Sequence, residues 1–233
     1  MADKYSMEKL ITCKYANNFS GARAFGIKDI KIPLKRFQEF FPHLNEYELK
    51  PRREPFDNAH FNNIIRGYEH VNGILRKKTD ITPNDLIELN MLCLYGACTK
   101  DLRDPKKNTN MLLEYSSAVE VNRKKFSAHI SPVWKYYERN KGADPFNLAS
   151  GIYILMVSCP QLFVEGNQRT GSLMMAFILA SRGRKPFVLD SYNAAKFLNL
   201  SEKIKLTRRN RFFERLRLPK HRGDLRNYLL EDF

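Results

Sequence analysis

Apolar residues recur along this chain at helical spacing in several stretches, and nowhere does a sustained alternation of period two appear. The first clear face is Phe61, Ile64, Ile65, Tyr68 and Val71, with Asp57 as the expected N-cap of a helix reaching about Leu75. Thr82-Pro83-Asn84-Asp85 starts another helix, a capping hydroxyl followed by proline at the first helical position. It is expected to run to about Cys98 and to turn Leu86, Leu89, Met91, Leu92, Leu94 and Tyr95 inward. Residues 101 to 110 are charged and contain Pro105, which predicts a loop. Residues 127 to 132 are less clear, and a short β-hairpin is one expectation there. Residues 133 to 140 read as a helix that Gly142-Ala143-Asp144-Pro145 ends. The first 55 residues are broken up by Gly21, Gly26, Pro33, Pro42, Pro51 and Pro55, which predicts short pieces.

Two later stretches differ in kind. Residues 147 to 158 carry no charge, and a helix apolar on every side lies inside a fold. Cys159-Pro160 stops it, because proline disfavours the helical conformation in the residue before it. Residues 170 to 182 resume an apolar helix through Leu173, Met174, Met175, Phe177, Ile178 and Leu179, with Gly183 as the expected C-cap. Between these core helices stands Pro160-Gln161-Leu162-Phe163-Val164-Glu165-Gly166-Asn167-Gln168-Arg169-Thr170. Polar groups beside a core are costly unless they bind something, so this contrast is the strongest functional signal in the chain. The pattern predicts a mainly α fold: an extension over residues 1–55, a helical domain over 56–200 and a basic helical segment over 201–233.

Composition changes the picture in three ways. With 43% hydrophobic residues in 233, the chain can bury a large core, which excludes a disordered protein. No apolar run approaches the roughly 20 residues that span a bilayer, and the start has no apolar leader core. The cytoplasm is the expected compartment, with export as an effector lacking a cleavable signal as the alternative. Cys13, Cys93, Cys98 and Cys159 form no CxxC pair, so free thiols are expected rather than a zinc site. Net charge is +15, and residues 203 to 226 carry ten Lys or Arg against Glu214 and Asp224. Such a run attracts polyanions (nucleic acid, acidic membrane, an acidic protein or a nucleotide) or is simply a solvated face. Phe212, Phe213 and Tyr228 within and beyond it fit base stacking and fit helix packing equally.

The loop chemistry points to phosphate. Gly166 permits positive φ and close backbone approach, and the amides of residues 166 to 170 are expected to point forward as an anion nest at a helix N-terminus. The helix dipole adds about 0.3–1 kcal/mol towards a bound anion, and Arg169 a full charge with two-pronged geometry. Glu165 is a hard oxygen donor suited to Mg²⁺ shared with phosphate oxygens. The competing reading is ordinary turn chemistry, in which Glu165 caps the following helix and pairs with Arg169.

The segment from Gln161 to Thr170, with the apolar helices on either side, resembles the active-site motif of the Fic family, His-x-Phe-x-(Asp/Glu)-Gly-Asn-(Gly/Lys)-Arg followed by Thr-x-x-Arg. The resemblance is clear over about residues 145 to 190 and implies a Fic-like helical bundle. Fic proteins typically transfer AMP from Mg·ATP to a hydroxyl of a target protein, and some relatives transfer phosphate or phosphocholine. Carried over by position, Glu165 would hold Mg²⁺, and Gly166, Asn167, Gln168, Arg169 and Thr170 would line the nucleotide phosphates. The family's general base falls on Gln161, which has no ionisable group. A positioned base contributes typically about 10²–10⁴-fold, so binding is expected to outlast turnover. Gln168 is expected to obstruct the phosphate path, and Ser172 to remove the family's second arginine. Of the histidines elsewhere, His129 lies where the family places its target-docking flap.

These readings leave three functions: a nucleotide- or phosphoryl-ligand-binding protein with AMP transfer lost or impaired, an active transferase of altered chemistry, and a module that binds nucleic acid or a partner through its basic C-terminal segment.

Overall fold

A computed structural model describes residues 24–97 and 109–233, except for side chains of some residues from 109 to 131 and that of Phe213. Cys13, Cys98 and most of the loop expected at 101 to 110 lie outside the described residues, as does the His129 side chain.

The described residues form nine helices and no strand. In α1 (Ile27–Tyr47), Ile30, Leu34, Phe37, Phe41 and Leu44 recur every three or four residues and form one buried face. Short pieces were expected here, yet Pro33 and Pro42 both lie inside this helix. A proline costs a helix interior about 3 kcal/mol, whereas each large apolar side chain buried contributes about 1.5–3 kcal/mol, and α1 buries five.

Local signals set the next starts. The Asp57 carboxylate accepts the His60 N–H at 2.8 Å and opens α2 (Asn58–Lys77). Thr82 and Asp85 cap α3 (Pro83–Tyr95) reciprocally, each side chain accepting the other's backbone N–H. α4 (Thr109–Asn140) runs 32 residues through Pro132, so the hairpin expected at 127 to 132 is absent. A helix satisfies its own backbone groups there, while a lone two-stranded hairpin is marginal in water.

The central pair is α5 (Pro145–Val157) and α6 (Asn167–Ser181), which make the most extensive contact in the fold. Asp144 caps α5 through the Asn147 N–H at 3.0 Å, two residues ahead of the expected start. The helices approach closely because Gly171 faces Tyr153: a Cβ at position 171 would stand 2.8 Å from the Tyr153 ring. At the far end of α6, Gly183 adopts φ 73°, and its amide and that of Arg184 close the last turn onto Ala180 and Leu179.

Around this pair, α2 and α3 cover α6, while α4 and α9 (Leu218–Asp232) cover α5. α1 lies on α2, and α7 (Ala194–Leu206) fills the gap between α5 and α9. The short α8 (Phe212–Arg215) joins α7 to α9. Tyr228 is buried against Phe187 and Phe197, so it packs the core and is not offered to a base. Among the described residues no helix is long and apolar enough to cross a membrane.

Candidate functional site

The loop between α5 and α6 is held from several sides. Cys159 donates its amide to the Thr207 carbonyl at 3.0 Å and accepts from the Arg209 amide at 2.8 Å. These bonds tie the loop's entrance to the segment after α7. The Leu162 amide folds back to the Met156 carbonyl at 3.0 Å, and Leu162 and Phe163 are buried. Phe163 therefore anchors the loop.

Asn167 then closes it. Its Oδ1 accepts the Phe163 amide at 2.7 Å, and its Nδ2 donates to the Phe163 carbonyl at 2.9 Å and to Gln161 Oε1 at 3.2 Å. Both donor hydrogens and the oxygen of this buried side chain are engaged by the loop's own residues, so its main contribution to a ligand is its backbone N–H. Gly166 takes φ 75°, and a Cβ there would stand 2.8 Å from Asn90 Nδ2. That amide donates to the Glu165 carbonyl at 2.8 Å and to Thr170 Oγ1 at 3.1 Å.

Thr170 and Gln168 are both engaged by bonds of the fold. The Thr170 amide pairs with the Gly166 carbonyl at 2.9 Å and its buried hydroxyl donates to the same oxygen at 3.0 Å, so Thr170 braces the turn and offers nothing to a ligand. Its place in the fourth helical position explains this, since only the first few N–H groups of a helix lack an acceptor. Gln168, expected to obstruct a phosphate path, lines the cavity and is held from two sides. Its Oε1 accepts from Arg53 at 2.8 Å and its Nε2 donates to Ser201 Oγ at 2.7 Å, drawing the side chain sideways onto α7.

What faces outward is smaller. α6 begins at Gly166 without a side-chain cap, so the N–H groups of Asn167, Gln168 and Arg169 have no intrahelical acceptor. Arg169 donates one arm to the Cys93 carbonyl at 2.9 Å and keeps the other 3.8 Å from Glu165. The Glu165 carboxylate is 73% exposed, and that long contact is the only pairing it makes among the described residues. Ser172 spends its hydroxyl on the Gln168 carbonyl at 2.9 Å. Gln161 is half-buried and lends only its Oε1, to Asn167.

These groups line a cavity of about 490 Å³, inside the size range of small-molecule sites. Its opposite wall is the segment Pro51 to Phe56 with His60, and its floor includes Leu173, Phe187 and Phe197. Arg53 enters from that wall, bonding Gln168, the Leu198 carbonyl at 3.0 Å and Glu202 at 3.1 Å. Lys205 and Arg52 complete a basic rim. Behind the loop, burial pushes the Cys93 thiol up to about 12, outweighing the nearby Arg169 charge and a hydrogen bond with Thr170. That sulfur is a neutral core group.

The donors fit a shared cation only. Among the described residues no group of three or more His, Cys, Asp or Glu gathers to hold a metal. Glu165 can offer one carboxylate to a Mg²⁺ whose remaining ligands are phosphate oxygens and water.

Compared with models of known families, with curated proteins and with solved structures, the chain matches none. The wall residues Arg53, Glu202 and Lys205 were not singled out from the sequence as site residues. They lie more than 30 residues away on either side, and no local motif marks them.

Proposed function

We propose that the nine helices form a Fic-like domain whose cavity binds a nucleotide or other phosphorylated ligand, with AMP transfer to protein hydroxyls lost or strongly impaired. The observation that carries it is the uncapped N-terminus of α6 opening, beside Arg169, onto a cavity of about 490 Å³. Three amides without acceptors and one guanidinium suit a phosphate, and the helix dipole adds to them. Glu165 stands where a bridging Mg²⁺ would relieve its repulsion from that phosphate. Both polar ends of the Gln168 side chain are engaged by Arg53 and Ser201, which supports binding because the side chain is held rather than free to fill the cavity. Gln161 remains the objection to turnover: it can orient a hydroxyl by hydrogen bonding and cannot take its proton at any pH.

Titration calorimetry with ATP, CTP, GTP and AMP, with and without Mg²⁺, tests the binding. One nucleotide is expected to bind more tightly with Mg²⁺, and Arg169→Ala to weaken it about tenfold or more. No heat with any of the four would refute the nucleotide reading. In a lysate, label transfer from ATP is expected to be negligible and to rise with Gln161→His. Robust transfer by the unmodified chain that Arg169→Ala abolishes would instead establish an active transferase.

A further inference from the structure

The densest charge in the chain lies between Lys203 and Lys220, where eight Lys or Arg stand against the single acid Glu214. Structure adds what charge alone does not show. Leu206, Phe212 and Leu216 are 68%, 71% and 62% exposed, three of the nine large apolar side chains that stand exposed among the described residues. They fall within 11 residues, interleaved with exposed Arg208, Arg211 and Arg215. Phe212 and Leu216 are one helical turn apart, the Leu216 amide bonding the Phe212 carbonyl at 3.3 Å, so they project from one side of α8. Glu214 is occupied within the turn by the Arg208 amide at 2.7 Å and by Arg211 at 3.4 Å, and Glu202 lies 3.7 Å from Lys205, which leaves the Arg208, Arg215, Arg217 and Lys220 side chains without a carboxylate among the described residues.

We propose that this turn is a peripheral docking surface for an anionic lipid bilayer. Charge complementarity selects an anionic partner, and each Lys or Arg near such a surface contributes about 1 kcal/mol. The exposed leucines choose among anionic partners. A nucleic acid rewards aromatic faces on which bases stack, and leucines offer it nothing comparable. A bilayer rewards any apolar side chain that sinks between headgroups while basic residues sit at the phosphate level. The turn is also fixed in place: Thr207 and Arg209 are bonded to Cys159 at the entrance of the motif loop, and Lys205 lies on the cavity rim. Docking would therefore hold the cavity close to the membrane surface. The proposal stands independently of what the cavity binds.

Sedimentation of the full chain with vesicles tests it, using phosphatidylcholine alone and phosphatidylcholine mixed with phosphatidylglycerol. Binding is expected to the mixed vesicles only and to weaken as salt rises. Phe212→Ser with Leu216→Ser is expected to weaken it about tenfold or more. Arg208, Arg215, Arg217 and Lys220, all exposed and none paired with a carboxylate among the described residues, can be changed together to Gln. That variant is expected to lose about a thousandfold in affinity. Both variants should keep the melting temperature of the parent, since the changed side chains are exposed. Equal binding to the two vesicle types, or undiminished binding by the Ser pair, would overturn the proposal. So would capture of an RNA oligonucleotide with no affinity for the mixed vesicles.

Discussion

The motif loop has two halves that obey different rules. On the inner side, Phe163, Gly166, Asn167 and Thr170 satisfy one another and Asn90, and almost none of their polar atoms remains for a ligand. On the outer side, Gln161, Glu165 and Arg169 make few or long contacts, and three helix amides have no intrahelical acceptor. Half of a motif that resembles a binding site is thus explained by the folding of the loop itself. The remaining half is where ligand chemistry must be sought. The same split separates what mutation should do: inner changes should cost stability, outer ones should cost binding.

The largest effect expected is on the thiol behind the inner half. The thiolate is the reactive form, and burial raises Cys93 from an ordinary 9.0 to about 12. At pH 9 the folded protein should therefore hold about five-hundredfold less Cys93 thiolate than the unfolded chain. Because the unfolded chain sheds this proton first, the same shift makes stability fall as pH climbs from about 9 towards 12. Iodoacetamide labelling read by peptide mass spectrometry checks the first point. Rapid labelling of Cys93 without denaturant would mean that the inner half is not sealed.

Asn167→Ala comes next. It strands the buried Phe163 amide and carbonyl together, and an unsatisfied buried group costs about 1–3 kcal/mol, so a loss of roughly 2–4 kcal/mol is expected in urea denaturation. Gly166→Ala should cost less, about 1–2 kcal/mol. Alanine must hold φ 75° there and must push back the Asn90 side chain, whose nitrogen would stand 2.8 Å from the new carbon. If the loop tolerated Asn167→Ala better than Gly166→Ala, the side-chain closure described above would not be what organises it.

The sequence showed the inner half as a pattern and concealed its bonding. Gly-Asn before an apolar helix was readable as a turn, and the all-apolar stretches of α5 and α6 as core. Asn167 turns inward onto residues four to six positions before it, a choice the residue type alone does not show, and the turn that Thr170 braces is completed by Asn90, which approaches from a helix 75 or more residues away. The bonding of Gln168 was concealed for the same reason, because its partners Arg53 and Ser201 belong to other elements. Elsewhere the legible signals were covalently local: the caps at Asp57 and Thr82 depend only on neighbours within a turn. The missed helix α1 is the instructive failure. Its apolar positions 30, 34, 37, 41 and 44 already carry the helical period, but Pro33 and Pro42 read as breakers. Periodicity reports what tertiary packing will reward, and here that reward exceeds the local penalty.

Glu165→Gln sharpens the comparison from the outer side and should have the smallest effect on stability. Its carboxylate is 73% exposed and sits 3.8 Å from Arg169, a pairing worth less than about 1 kcal/mol in water. Urea denaturation should shift by no more than about 0.5 kcal/mol. Removing the charge also frees the Arg169 arm from its only carboxylate among the described residues, so phosphate binding in the absence of Mg²⁺ should hold or tighten. Mg²⁺ dependence should weaken strongly, because Glu165 is the one acid of the motif loop; of the cavity's other acids, Glu202 is already paired with Arg53 and Lys205, and Glu54 belongs to a different segment. A variant that binds nucleotide as the parent does, with the same response to Mg²⁺, would show that Glu165 serves the loop and not the ligand. It would then belong with Asn167 on the inner side of the division.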